Sequence, residues 1–185
     1  MFENSPCSAA FGDPKEMDFC PPLQQLYDEH PSLLDKMAEF NKMVMQFENS
    51  EDTLNWNEAI EQLNEKLIVF VTELEPHSDR EEDVLFEMMV KHIGREGGPI
   101  PVMEHEHHTA KQNLKEFFTK VSEIKGINEE ISKEKAFELF HHVKIIYTTL
   151  TDHFMKEEQI LFPMAEKMLS VSEKEELAAK FKEMK

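Results

Sequence analysis

A chain of 185 residues is long enough to form one domain around a packed core. Its formal net charge of −18 argues against nucleic acid and anionic membrane surfaces as partners. Only five glycines, with abundant Glu, Lys, Leu and Met, favour helix over strand, and there is no apolar run of the roughly 18 residues that crossing a membrane requires.

Residues 1–21 read as an irregular leader, punctuated by Pro6, Gly12, Pro14 and Pro21. The first residues lack the basic and apolar regions of a signal peptide. Cys7 and Cys20 fit no zinc spacing, so a reducing, cytoplasmic setting is expected. Four stretches follow in which apolar residues recur at steps of three and four, the pattern of a helix with one buried seam. The first runs Leu23, Leu26, His30, Leu33, Met37, Phe40, Val44, Phe47. The second runs Trp56, Ile60, Leu63, Leu67, Phe70, Leu74, His77, Glu81, Val84, Met88. The third is Ile100, Met103, His107, Ala110, Leu114, Phe117, Val121, Ile124. The fourth is Leu139, Val143, Ile146, Leu150, His153, Glu157, Ile160, Met164.

Breakers at residues 48–52, 92–99 and 125–130 separate these seams, with Thr53, Asn55 and Ser132 as N-cap residues. Short connections imply antiparallel neighbours. The expectation is an all-α fold: an up-down-up-down antiparallel four-helix bundle over residues 22–170. A short amphipathic helix over 171–185, started by a cap at Ser172, should pack across the bundle end and carry no chemistry. Pro31 lacks a backbone donor and disfavours helix at His30, so the first helix should kink or restart there.

Six polar residues interrupt the seams: His30, His77, Glu81, His107, His153 and Glu157. Two pairs lie in a repeated motif. His77-x-x-x-Glu81-Glu82-x-x-Leu85-Phe86 recurs as His153-x-x-x-Glu157-Glu158-x-x-Leu161-Phe162. On a helix, positions i and i+4 share a face, so each copy offers an imidazole and a carboxylate together. A third spacing match, His92 to Glu96, runs into Gly97-Gly98-Pro99 and reads as accidental. His92, His105, His108, His141 and His142 fall off the seams and read as surface or boundary residues.

In an antiparallel pair, residues at equal depth are equidistant from the loop. His30 and His77 have their midpoint near residue 53, His77 and His107 at 92, and His107 and His153 at 130. Each lies in or beside a predicted loop, so the four histidines share one level. Buried carboxylates cost several kcal/mol unless partnered, and no Lys or Arg lies on the seams. The same residues could form a hydrogen-bonded polar network or a mononuclear site. Two carboxylates and four imidazoles at one level favour two metal ions, with iron, manganese or zinc suited to such ligands.

Together with the segments ending in His30 and His107 (Leu26 to His30 and Gly97 to His107), these repeats resemble the hemerythrin-like, or HHE cation-binding, proteins over residues 23 to about 168. The resemblance implies a non-haem centre of two Fe ions with an oxo or hydroxo bridge. It implies His30, His77, His107 and His153 as terminal ligands and Glu81 and Glu157 as bridging carboxylates. The glycine pair and the register select His107 over His105.

Oxygen-carrying hemerythrins place a second histidine one turn further along the third helix, where this chain has Lys111. The four-His, two-Glu set is closer to the di-iron proteins that repair damaged iron–sulfur centres. Those tend to carry further carboxylates near the metals, for which Glu73 and Glu106 are candidates, and usually begin with a separate cysteine-bearing domain where this chain has residues 1–21. The expected function is reaction with O₂, NO or peroxide, or iron donation to an apo iron–sulfur protein. The alternative is reversible O₂ binding or sensing without turnover. Phe70, Phe86, Phe154 and Phe162 read as packing, and Tyr147 as core or boundary.

Overall fold

The computed structural model describes residues 17–49, 55–127 and 130–184. Among these every regular element is helical. In chain order they are α1 (Pro21–Glu48), α2 (Trp56–Arg80), π1 (Glu81–Phe86), α3 (Glu87–Ile93), α4 (Ile100–Ile127), α5 (Lys133–Lys156), π2 (Glu157–Leu161), α6 (Phe162–Met168) and α7 (Val171–Glu183). None of these helices is long and apolar enough to cross a membrane. Cys7 and the cap expected at Thr53 lie outside the described residues.

Local chemistry fixes the helix ends. The Glu58 amide donates to Asn55 Oδ1 and the Lys135 amide to Ser132 Oγ, so both expected caps form. Helix α3 stops at Gly94, whose φ of 73° suits glycine, before Glu96 can complete the third spacing match. His92 instead contacts Glu173 at 2.7 Å. The cap of α7 is Ser170 rather than Ser172. The Glu173 amide donates to Ser170 Oγ, and the Ser170 amide donates back to the Glu173 carboxylate at 2.8 Å. Buried Leu169 anchors the turn just before that cap.

The expected restart at Pro31 does not occur, because α1 is continuous through it. Pro31 is exposed, while His30 and Leu33 on either side are buried. Packing of that stripe outweighs one missing backbone hydrogen bond.

The chain divides into two compact units. The first comprises the described residues up to His30, then Glu75–His105, then those from Asp152 onward. Its core joins Leu23 and Leu26 to Leu85, Phe86, Met89, Met103, Phe162, Leu177 and Phe181. The second comprises Pro31–Leu74 and Glu106–Thr151. There Phe40 meets Phe70 edge-on at 5.3 Å, and Trp56 meets Phe137 at 6.0 Å. Burying each such side chain contributes roughly 1.5–3 kcal/mol.

Apart from Phe47, Trp56 and Ile124, which are half-buried near helix ends, the seams hold as far as the two repeats and then slip. Ile160 and Met164 were expected to be buried but are only half-buried; Leu161 and Ala165 are fully buried instead. After Glu81, Leu85 and Met89 join Val84 and Met88 in the core. Both repeats turn π-helical at their motif glutamate. A π turn takes one more residue than an α turn, so the apolar stripe beyond it moves by one position.

Cys20 lies just before α1, with its amide donating to Glu166 Oε2 at 2.7 Å. Burial, opposed by a backbone hydrogen bond from Leu23 and aided by the Glu166 charge, pushes its thiol up to about 11. Only the thiolate is nucleophilic, so the reaction of Cys20 with iodoacetamide in a Cys7→Ser chain should be slow at neutral pH. The rate should be about three hundredfold below that of an ordinary thiol of pKa near 8.5, and should keep rising with pH through about 11. A rate that levels off below pH 9 would contradict this.

Candidate metal centre

Five of the six polar seam residues meet inside the first unit. His30, His77, Glu81, His153 and Glu157 are all fully buried. One donor atom each from His30, His77 and Glu157 lie within 4.8 Å of one another, and so do one each from Glu81, His153 and Glu157. Glu157 thus belongs to both groups. His30 Nε2 is 3.2 Å from Glu157 Oε2, and His153 Nε2 is 2.8 Å from Glu157 Oε1. His77 Nε2 is 3.5 Å from Glu81 Oε2.

These approaches are close but misaligned. His30 Nε2, His77 Nε2 and both Glu157 oxygens make no hydrogen bond of acceptable geometry among the described residues. Donors sharing one metal at about 2.0–2.2 Å stand about 2.8–3.6 Å apart, and the observed 2.8, 3.2 and 3.5 Å fall in that range. The residues therefore fit a cation that each donor faces, and fit a network of mutual hydrogen bonds poorly.

His107 belongs to the second unit, where it is also buried. His105 and His108 are exposed, as their off-seam positions predict.

Two further carboxylates support the imidazoles. His30 Nδ1 is 2.8 Å from Glu158 Oε1, and His77 Nδ1 is 2.9 Å from Glu29 Oε2. An ionised carboxylate only accepts, so each ring donates from Nδ1 and turns Nε2 inward. Glu29 is itself gripped by Arg80, whose Nη2 lies 2.6 Å from both of its oxygens. Burial would raise the Glu29 carboxyl, but hydrogen bonds from His77, Gln25 and Arg80 with the Arg80 charge hold it at about 2. Burial would likewise lower His30, yet Glu157 and Glu158 raise it to about 9 while no cation is bound. Burial works against the Glu157 carboxylate, and His153 and His30 overcome it, keeping it well below the usual range. Phe154 and Phe162 pack on the His30 ring at 4.5 and 5.5 Å and exclude water there.

Sequence reasoning missed Glu29, Arg80 and Glu158. Glu29 and Glu158 flank seam positions, and Arg80 is three residues past His77, so each rides at a seam edge where pattern alone cannot separate support from solvent exposure. The carboxylate expected at Glu73 is exposed and serves Lys36 and Ser32 at 2.9 Å within the second unit. Glu106 is half-buried on α4.

The model of the hemerythrin HHE cation-binding domain matches residues 21–165. The chain is similar to the iron-sulfur cluster repair protein YtfE of Musicola paradisiaca, 33% identical over 101 residues, or 54% of this chain and 45% of that one. It is 31% identical to the same-named proteins of Escherichia coli and Dickeya chrysanthemi over 104 residues, or 56% of this chain and 46% of each of those. It therefore spans about half the length of the curated relatives it matches. No solved structure matches it. With a family match running almost from the start of α1 to α6, the chain belongs to the hemerythrin HHE cation-binding domain family.

Proposed function

We propose that this chain is a non-haem di-iron protein of nitrosative and oxidative stress, reacting with O₂, NO or peroxide or donating iron to a damaged iron–sulfur protein. The observation that carries this reading is the buried cluster in which Glu157 is shared between two donor groups. In this reading His30 and His77 hold one iron, His107 and His153 hold the other, and Glu81 and Glu157 bridge them. The four long helices α1, α2, α4 and α5 are read as an up-down-up-down antiparallel bundle, which the short connections between them favour. The names of the similar proteins support iron–sulfur cluster repair.

A bound iron pair would supply redox equivalents and an open coordination position for a small oxidant. The chain supplies the rest. Glu29 and Glu158 orient the His77 and His30 rings, and the phenylalanines keep water from His30. The low-dielectric surroundings strengthen each charge in the cluster.

Anaerobic reconstitution with ferrous iron, followed by metal analysis, tests the reading. Two irons per chain should be retained, and the loaded protein should restore activity to an apo iron–sulfur enzyme. Less than one iron per chain, undiminished in Glu81→Ala, would sink the di-iron assignment. Two irons with a colour that develops in air and vanishes when oxygen is removed would replace repair with reversible O₂ binding.

A further inference from the structure

The last helix does more than close the end of the first unit. Helix α7 packs directly on π1, the turn that begins with Glu81. It is tied to the neighbouring helices by Glu173 to His92 on α3 and by Lys174 to Glu166 on α6. Leu177 and Phe181 enter the core.

Next to π1 sits a buried cation. The Arg80 side chain is 11% exposed. Its Nη2 donates to both oxygens of Glu29, the carboxylate that accepts from His77 Nδ1. On its other side the guanidinium carbon lies 5.9 Å from the ring centre of Phe181, within the range of a cation–π contact. Arg80 Nε makes no hydrogen bond among the described residues. The guanidinium is thus placed by a carboxylate on one side and an aromatic face on the other.

We propose that Arg80 is a positioning residue that couples α7 to the His77 ligand. Phe181 and Glu29 hold the guanidinium, the guanidinium fixes Glu29, and Glu29 fixes the rotation of the His77 ring that turns Nε2 inward. Helix α7 is thereby part of what retains the metal. This rests on the reading of His77 as an iron ligand.

Iron release to a ferrous chelator, followed anaerobically, separates this role from simple packing. Iron-loaded wild type is compared with Arg80→Met, Arg80→Lys, Glu29→Gln and Phe181→Leu, with metal-free melting as the structural control. Supports of this kind are typically worth ten- to a hundredfold in metal affinity. Arg80→Met and Glu29→Gln should therefore release iron about ten- to a hundredfold faster than wild type. Lysine keeps the charge but loses the flat fork, so Arg80→Lys should fall between. Phe181→Leu keeps an apolar anchor and should speed release severalfold, while the smaller core side chain lowers metal-free melting by only about 2–5 °C. The Arg80→Met/Glu29→Gln double variant should be no faster than the faster single one, because both break one chain of contacts.

Release within twofold of wild type in both single variants would overturn the proposal, as would effects that multiply in the double variant. If Arg80→Met does not fold, Phe181→Leu decides: an unchanged release rate overturns the coupling to α7. A wild type that retains no iron pair defeats the di-iron reading and this inference with it. A wild type that retains it while the variants release normally defeats the inference alone.

Discussion

Replacing Glu157 with alanine should empty both metal positions together. The residue contributes to each of the two donor groups, so its loss removes a ligand from each iron in the proposed centre. Bound iron should fall from two per chain to nearly none. A terminal ligand should behave differently: His30→Ala leaves Glu81, Glu157 and His153 in place and should lose mainly one iron. His105→Ala is the matched control, since that exposed side chain lies off the seam. Metal analysis after desalting measures all three. Retention of more than one iron by Glu157→Ala would show that Glu157 is not shared in the way its position suggests.

Stripping the metal should lower the melting temperature by about 10 °C. Without a cation the first unit holds Glu81 and Glu157 fully buried, with the Nε2 atoms of His30 and His77 beside them but not aligned as hydrogen bonds. Desolvating such charges costs several kcal/mol, and only part is recovered from the neighbours. A cation that binds the folded chain at about a thousandfold over its dissociation constant stabilises it by about 4 kcal/mol. For a domain of this size each kcal/mol shifts melting by roughly 2–4 °C. Calorimetry on iron-loaded and chelator-treated protein gives the difference directly. The gap should vanish in Glu157→Ala, because that variant has no metal to lose. A loaded protein melting within 2 °C of the stripped one would mean that the buried carboxylates are satisfied without a cation.

Much of this was legible before any coordinates. Helix periodicity marked most of the buried residues of α1, α2, α4 and α5, because a helical face repeats every three to four positions whatever its neighbours are; the seam ends Phe47, Trp56 and Ile124 are only half-buried. The same period put His30, His77, His107 and His153 on the seams, and all four are buried. The i to i+4 pairing of His153 with Glu157 is a property of a single helix and reappears at 2.8 Å.

What the pattern misjudged has physical reasons too. Pro31 argued for a kink or a restart; the restart does not occur, because local rules count one lost hydrogen bond and cannot count the packing of His30 and Leu33 that offsets it. Ile160 and Met164 were assigned to the core on an unbroken 3.6-residue period, which the π turn at Glu157 interrupts. Glu73 was a candidate carboxylate that the family resemblance suggested, with a solvated helix edge as the other reading; it is exposed and pairs with Lys36, because a spacing of one turn does not say which way an edge residue leans.

The sequence by itself determined the helical class, the buried rows and the six polar residues set into them. Those depend on composition and on a local period, which act within a few residues. Only the tertiary structure decided that Glu157 serves two donor groups, that the motif glutamates open π turns, and that Glu29, Glu158 and Arg80 stand behind the histidines. The contacts behind the histidines join residues on different helices, such as His30 to Glu158 or Arg80 to Phe181. Such pairs are set by how side chains of packed helices meet, and no period along one chain encodes that.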